Sequence, residues 1–237
     1  MKHVNPKYLP LFAAVSELIG LLLRLWLSSL RDAKGLLPYS HISVPLLLLL
    51  TALTLLVQTL CARSVCPDGR FRQRFSPGLW GGIGNLAAAV GILLLSINQF
   101  RTSADFFRYF CLPAGVLSAC TLVWAGLFRF RGKVPPFITY AVVTVYLMLN
   151  AVSHCRSWGT DPQLMDYFFE ALAAVFLMLT AYHRTALTIN RGNYCWFVFT
   201  DLAALFFCYM CLNTGSFPFY PAMAVWCAAD FCNFQEA

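Results

Sequence analysis

Long apolar runs alternate with short polar connections along the whole chain. Each of the first seven runs is close to the roughly 20 residues that an α-helix needs to cross a bilayer. The eighth is shorter and has Pro218 and Pro221 near its start, so we expect a crossing helix or a re-entrant or interfacial segment. The predicted spans are residues 8–30, 43–62, 79–98, 109–128, 137–155, 164–183, 194–213 and, more weakly, 217–234. The pattern predicts an all-α polytopic transmembrane helix bundle of seven or eight spans, in one integral membrane domain over residues 1–237.

Composition supports the membrane class. Of the 237 residues, 59% are hydrophobic and 11% are charged, whereas a soluble domain carries about 25% charged residues. The first run is too long for a signal peptide and lacks a small-residue cleavage site, so we expect a retained helix. The net charge of +7 comes from basic residues in short loops, which favours the lipid bilayer as a partner and no nucleic acid.

The distribution of Lys and Arg predicts the orientation. Eleven lie on the side of the N-terminus and five on the opposite side, and cytoplasmic loops carry the excess. The N-terminus is therefore expected in the cytoplasm, and the C-terminus too if the eighth span crosses.

Three short motifs carry a resemblance to a known group. They are Asp32-Ala-Lys-Gly-Leu-Leu-Pro38 with His41, the turn Trp158-Gly-Thr-Asp-Pro162, and the run from Phe168 to His183. The chain resembles a group of uncharacterised small multi-pass bacterial membrane proteins. The resemblance implies localisation in a bacterial cytoplasmic membrane and transfers no activity and no functional residue.

The sixth run contains the most informative polar residue. Asp161 and Pro162 are typical of a helix start, and Glu170 lies roughly 12 Å further along the helix. An ionisable group at that depth usually faces a protein interior or a water-filled cavity.

Polar residues inside the predicted spans fall into two layers. Arg24 is seven residues from Glu17 on nearly the same helical face, and it could join the layers. The outer half holds Arg24, Asn150, His154, Asp166 and Glu170, and the inner half holds Glu17, Asn85, Asp201 and Asp230. We expect a ligand or proton pocket formed by Glu170, Arg24, Asn150, Glu17 and Asp201. Pairing of these groups as contacts between helices is the alternative.

Ten cysteines raise a redox alternative. Cys208 and Cys211 form a C-x-x-C motif, which in thiol oxidoreductases supplies an attacking and a resolving thiol. Buried free cysteine is also a common small hydrophobic residue, and the soluble context of a thioredoxin-type site is absent. No metal site and no cofactor are predicted.

The third span has a face of small residues that begins with Gly78 and Gly82. Small residues let helix backbones approach closely, which predicts a position at the centre of the bundle or at a seam with a protein partner. No nucleotide-binding, hydrolase or metalloprotease motif occurs, so only the cysteine pair supports an enzyme. The sequence thus favours binding or transport of a small solute or ion over a thiol oxidoreductase or an accessory subunit of a membrane complex.

Overall fold

The computed structural model describes residues 9–29, 42–64, 78–102, 108–158, 164–212 and 218–232. These residues form eight α-helices and no strand, which confirms the all-α prediction for this part of the chain. The helices are α1 Leu9–Ser29, α2 Ser43–Ser64, α3 Leu79–Thr102, α4 Arg108–Phe130, α5 Phe137–Trp158, α6 Leu164–Thr188, α7 Tyr194–Met210 and α8 Phe219–Cys232.

Five of the described helices, α2 to α6, are long and apolar enough to cross a membrane. The fourteen residues of α8 make a helix of about 21 Å, shorter than the hydrocarbon core of about 30 Å. The short eighth element predicted from the sequence is therefore present as a helix.

Several helices extend beyond the predicted spans. α3, α4, α5 and α6 continue to Thr102, Phe130, Trp158 and Thr188, beyond the predicted span ends at residues 98, 128, 155 and 183. The stretch of α5 that is long and apolar enough to cross a membrane ends at Cys155, as predicted. The seventh ends earlier, at Met210, and residues 8, 30, 213, 217, 233 and 234 of the predicted spans lie outside the described residues.

The end of α6 is set by Asn190 rather than by His183. Asn190 has a φ of 62°, a left-handed conformation that Asn tolerates better than most residues. The Asn190 amide donates to the Leu187 carbonyl, and the Arg191 amide donates to the Ala186 carbonyl. This is a Schellman-type cap. It leaves Arg184 inside the helix, one turn before its end.

Helices α3 to α8 form a closed ring. Each packs against the next in sequence, and α8 returns to pack along α3. α1 and α2 pack against α7 from outside the ring. Thirteen of the seventeen residues of α7 are consequently buried, as expected of a helix that is hydrophobic all round, whereas Trp196 near its start is exposed.

The small-residue face of α3 lies at a helix contact within this chain. A Cβ added at Gly84 would be 2.6 Å from the Cβ of Ala229, and one added at Gly91 would be 2.5 Å from the Cβ of Ala222. Both alanines belong to α8, so the two backbones approach closely. Gly82 instead faces the Phe130 ring on α4.

Candidate functional site

Four charged side chains meet inside the ring. Arg129 Nη1 lies 2.7 Å from Asp230 Oδ1, and Arg184 Nη2 lies 2.9 Å from Asp230 Oδ2. Arg184 Nη2 also donates to Asp201 Oδ1 at 3.0 Å. All four side chains are buried, so two cations and two anions form one charge-balanced group. We call Arg129, Arg184, Asp201 and Asp230 the ionic network.

The ring topology explains why these residues meet. α4, α6 and α8 end on the same side of the bundle on which α3, α5 and α7 begin, and we call this side the basal end. Arg129 and Arg184 lie in or near the last turns of their helices, and Asp201 lies two turns into α7. Residues far apart in sequence therefore reach the same depth in the ring.

The aromatic ring of Trp226 covers the guanidinium group of Arg184. The Arg184 Cζ lies 3.6 Å from the Trp226 ring centroid, and Nη2 also donates to the Trp226 carbonyl at 3.3 Å. The Phe197 ring is 5.9 Å from the same carbon. A cation over an aromatic face and away from water gains about 2 kcal/mol, which offsets part of the cost of burial.

Asn85 and Tyr140 complete this region. Trp226 Nε1 donates to Asn85 Oδ1 at 2.8 Å, and Asn85 Nδ2 donates to the Tyr140 hydroxyl at 3.3 Å. Together with the ionic network, these three residues form the basal polar cluster, to which each helix from α3 to α8 contributes. The cluster joins every member of the ring.

Some polar atoms of the basal cluster have no hydrogen-bond partner among the described residues. They are Nε and Nη1 of Arg184 and Oδ2 of Asp201. Because the formal charges already balance, the cluster has no net charge with which to select a cation or an anion. Its arrangement is that of a scaffold between helices.

Arg24 and Glu170 lie at the opposite end, which we call the apical end. Both are buried, and both lie within electrostatic range of Cys211 at the end of α7. The Arg24 Cζ is 5.4 Å from the ring centroid of Phe169, the neighbour of Glu170. The structure thus brings these two members of the predicted pocket into one region, to which Tyr220 of α8 also belongs.

Glu17 is a further acidic member of the predicted pocket, besides Glu170 and Asp201. It is 6% exposed and lies near Cys208 and Tyr209 of α7. Its Oε1 has no hydrogen-bond partner among the described residues. Of the predicted pocket residues, Asp201 belongs instead to the ionic network at the basal end.

Asn150 belongs to a separate polar contact. Gln99 Nε2 donates to Asn150 Oδ1 at 2.6 Å and lies 3.1 Å from His154 Nε2. This contact ties α3 to α5. Among the described residues, Asn150 makes no hydrogen bond to Arg24, Glu170 or Glu17.

The cysteines of the C-x-x-C motif are free and almost completely enclosed. Cys208 is 0% exposed and Cys211 is 1% exposed. Cys195 is disulfide-bonded, so the interpretation of the cysteines as buried free residues is wrong for this one. Among the described residues, no group of three or more His, Cys, Asp or Glu side chains is arranged to hold a metal ion.

Sequence reasoning missed Arg129, Arg184 and Trp226. The two arginines follow directly after the predicted span ends at residues 128 and 183, where the sequence predicts basic loop residues that report orientation. Arg129 and Arg184 are buried instead. Their signal was the presence of Asp201 and Asp230 at the same predicted depth, because a buried acid is costly without a cation nearby.

The chain matches no protein-family model, no curated protein and no solved structure.

Proposed function

We propose that the protein is an integral membrane protein of a bacterial cytoplasmic membrane, with its basal end at the cytoplasm. Support comes from the five long apolar helices and from their exposed surfaces, such as Leu49, Leu53 and Leu56 on α2, which are 66%, 55% and 57% exposed. Hydrocarbon is the environment that suits such a surface. The excess of Lys and Arg at the basal end supports the orientation.

One observation opposes this orientation. Cys195 lies at the basal end and is disulfide-bonded, and disulfides are rare in the reducing cytoplasm. Arg131 and Arg191 are both exposed at the basal end. Labelling of single cysteines introduced at these positions decides whether the basal end faces the cytoplasm or the opposite side of the membrane. Labelling by a membrane-impermeant maleimide only after the cells are opened supports the proposed orientation, and labelling in intact cells reverses it.

We propose further that the interior binds or moves a small solute or ion through the region of Arg24, Glu170 and Glu17. The observation that carries this proposal is the carboxyl group of Glu17, buried with one oxygen that makes no hydrogen bond within the described structure. A carboxylate oxygen that is buried without a partner is costly. Glu17 is therefore suited to meet a cation or a hydrogen-bond donor brought by a ligand.

Asp201 does not take part in this proposal as a binding group. It is paired with Arg184 in a network whose charges cancel, so it serves to hold α6 and α7 together. Arg24 and Glu170 are the flanking charges that would orient a polar ligand near Glu17. Asn150 acts in the contact between α3 and α5.

The test compares wild type with Glu17→Gln, which keeps the shape of the side chain and removes its ability to ionise. Thr51→Val on α2 is a matched control, because Thr51 is buried and its hydroxyl bonds only the carbonyl of Leu47 in its own helix. Protein in mild detergent is titrated with sodium ions and with protons, its melting temperature is recorded, and native mass spectrometry detects solutes that co-purify.

The expected result is a ligand adduct, or a sodium- or pH-dependent shift of the melting temperature, in wild type and Thr51→Val and its loss in Glu17→Gln. The melting temperature of unliganded Glu17→Gln should be unchanged or higher. Identical behaviour of all three proteins would overturn the proposal.

The alternatives gain less support. A thiol oxidoreductase would need a substrate to reach Cys208 or Cys211, and both are enclosed. An accessory subunit that packs through Gly78 and Gly82 would use a face on which Gly82 already contacts Phe130 of its own chain.

A further inference from the structure

A groove lies at the basal end between the last turns of α2 and the first turns of α7. Its volume is about 240 Å³. Seven residues line it: Thr59, Ala62, Arg63, Asn193, Cys195, Trp196 and Phe199. None of them belongs to the basal polar cluster or to the region proposed to bind a solute.

The lining changes from polar to apolar along the helix axes. Arg63 lies in the last turn of α2, and Asn193 caps the start of α7 by accepting a hydrogen bond from the Cys195 amide. Trp196 lies about one turn further along α7, and Phe199 is roughly 9 Å beyond Asn193 along the same helix. The groove is thus cationic at the helix ends and aromatic below them.

Arg63 supplies a charge that nothing in the described structure neutralises. Its side chain is exposed and forms no ion pair with any described residue. Arginine binds phosphate through parallel hydrogen bonds, so a phosphate group is the complementary partner. The positive end of the α7 helix dipole also favours an anion at this place, although it would not make a site alone.

The size of the groove indicates that it takes only part of a molecule. Pockets that enclose a drug-sized ligand measure about 300–1,000 Å³, and this one is smaller. It is also open to the apolar surface, because Trp196 is 55% exposed and Leu60 on α2 is 46% exposed. A ligand with an anionic head at Arg63 and a chain that continues along the outside of the bundle matches these features.

We propose that the groove binds one anionic phospholipid, with the phosphate at Arg63 and the upper part of an acyl chain against Trp196 and Phe199. This inference rests on the proposed membrane insertion, since it places the ends of α2 and α7 at the level of the lipid head groups. It is independent of the solute proposed for the interior. Bound lipid would hold α2 against α7, the helix at the centre of the fold.

The experiment measures lipid binding by native mass spectrometry and by melting temperature in mild detergent. Phosphatidylglycerol is compared with phosphatidylcholine and with inorganic phosphate alone. The variants are Arg63→Gln and Trp196→Ala, and Arg191→Gln is the matched control, because Arg191 is exposed at the same end and does not line the groove.

Phosphatidylglycerol should bind wild type and Arg191→Gln at least about tenfold more tightly than Arg63→Gln, the factor that corresponds to about 1.4 kcal/mol of contact with the phosphate. Trp196→Ala should weaken the binding of both lipids. Equal binding of the two lipids, or equal binding to wild type and Arg63→Gln, would overturn the proposal, and an equal effect of inorganic phosphate would assign the groove to a free anion instead.

Extraction of cell membranes at alkaline pH keeps the two proposals apart. Release of wild-type protein into the soluble fraction would refute membrane insertion and the lipid site with it. Retention in the membrane together with unselective lipid binding would refute the lipid site alone.

Discussion

Removal of Arg184 should reveal how strongly the ionic network holds the ring together. Arg184→Met keeps a long apolar side chain but leaves Asp201 without a cation among the described residues, whereas Asp230 retains Arg129 at 2.7 Å. Breaking a buried pair on one side costs about 3–5 kcal/mol, because the remaining charge stays buried. The contact with the Trp226 ring at 3.6 Å is lost as well. We therefore expect a loss of at least about 3 kcal/mol in the free energy of unfolding.

The double variant Arg184→Met with Asp201→Leu should recover part of this loss. Replacing both partners by apolar groups of similar shape can be nearly neutral. The loss in the free energy of unfolding of the double variant should thus be about 2–3 kcal/mol smaller than the sum of the losses of the two single variants. This difference isolates the pair from the general effect of each substitution.

The assay is unfolding in mixed micelles by titration with a denaturing detergent, followed by circular dichroism. Arg191→Met is the matched control, because Arg191 is exposed and its substitution should change the free energy of unfolding by no more than about 0.5 kcal/mol. Additive effects of the two single variants, or an Arg184→Met effect no larger than that of the control, would refute the reasoning.

Two further substitutions, each compared with a second variant, test the contacts of α3. Gly84→Ala should lower the free energy of unfolding by about 1–3 kcal/mol, because its Cβ would meet that of Ala229. Gly82→Ala should lower it less, because the partly exposed Phe130 ring can move. Equal losses would contradict the close approach of α3 and α8. Asn85→Leu should cost about 1–3 kcal/mol by leaving the Trp226 indole without its acceptor. Tyr140→Phe keeps that hydrogen bond and should cost less, so a larger loss for Tyr140→Phe would show that the bond to Trp226 is unimportant.

The positions of the helices were largely readable from the sequence. Apolar runs of this length between polar turns leave few alternatives to a helix, and most predicted starts agree with the structure within a residue or two. The helices continue past the predicted span ends where a charged residue follows an apolar run. His183 and Arg184 look like an interfacial end, but the helix continues to Thr188 because the cap is at Asn190.

The ionic network could not be read from one run at a time. An arginine next to an apolar run has the same local pattern whether it reaches toward water or turns inward. The difference lies in its partner, and Asp230 is 101 residues from Arg129. The predicted layers placed Asp201 and Asp230 at a similar depth, but depth does not say which helices are neighbours. That information comes from the closure of the ring between α3 and α8.

The closure of the ring by its last helix has a consequence for the order of synthesis. Both arginines of the network are made before either aspartate, and α7 brings only Asp201. Until α8 emerges, two cations share one anion, and α3 has no neighbour on the side where Ala222 and Ala229 will pack. The ionic network therefore remains electrically unbalanced until α8 arrives, so the network and the ring are completed by the same helix. A chain interrupted before α8 would leave Gly84 and Gly91 of α3 uncovered and would lack Asp230, the second anion of the ionic network.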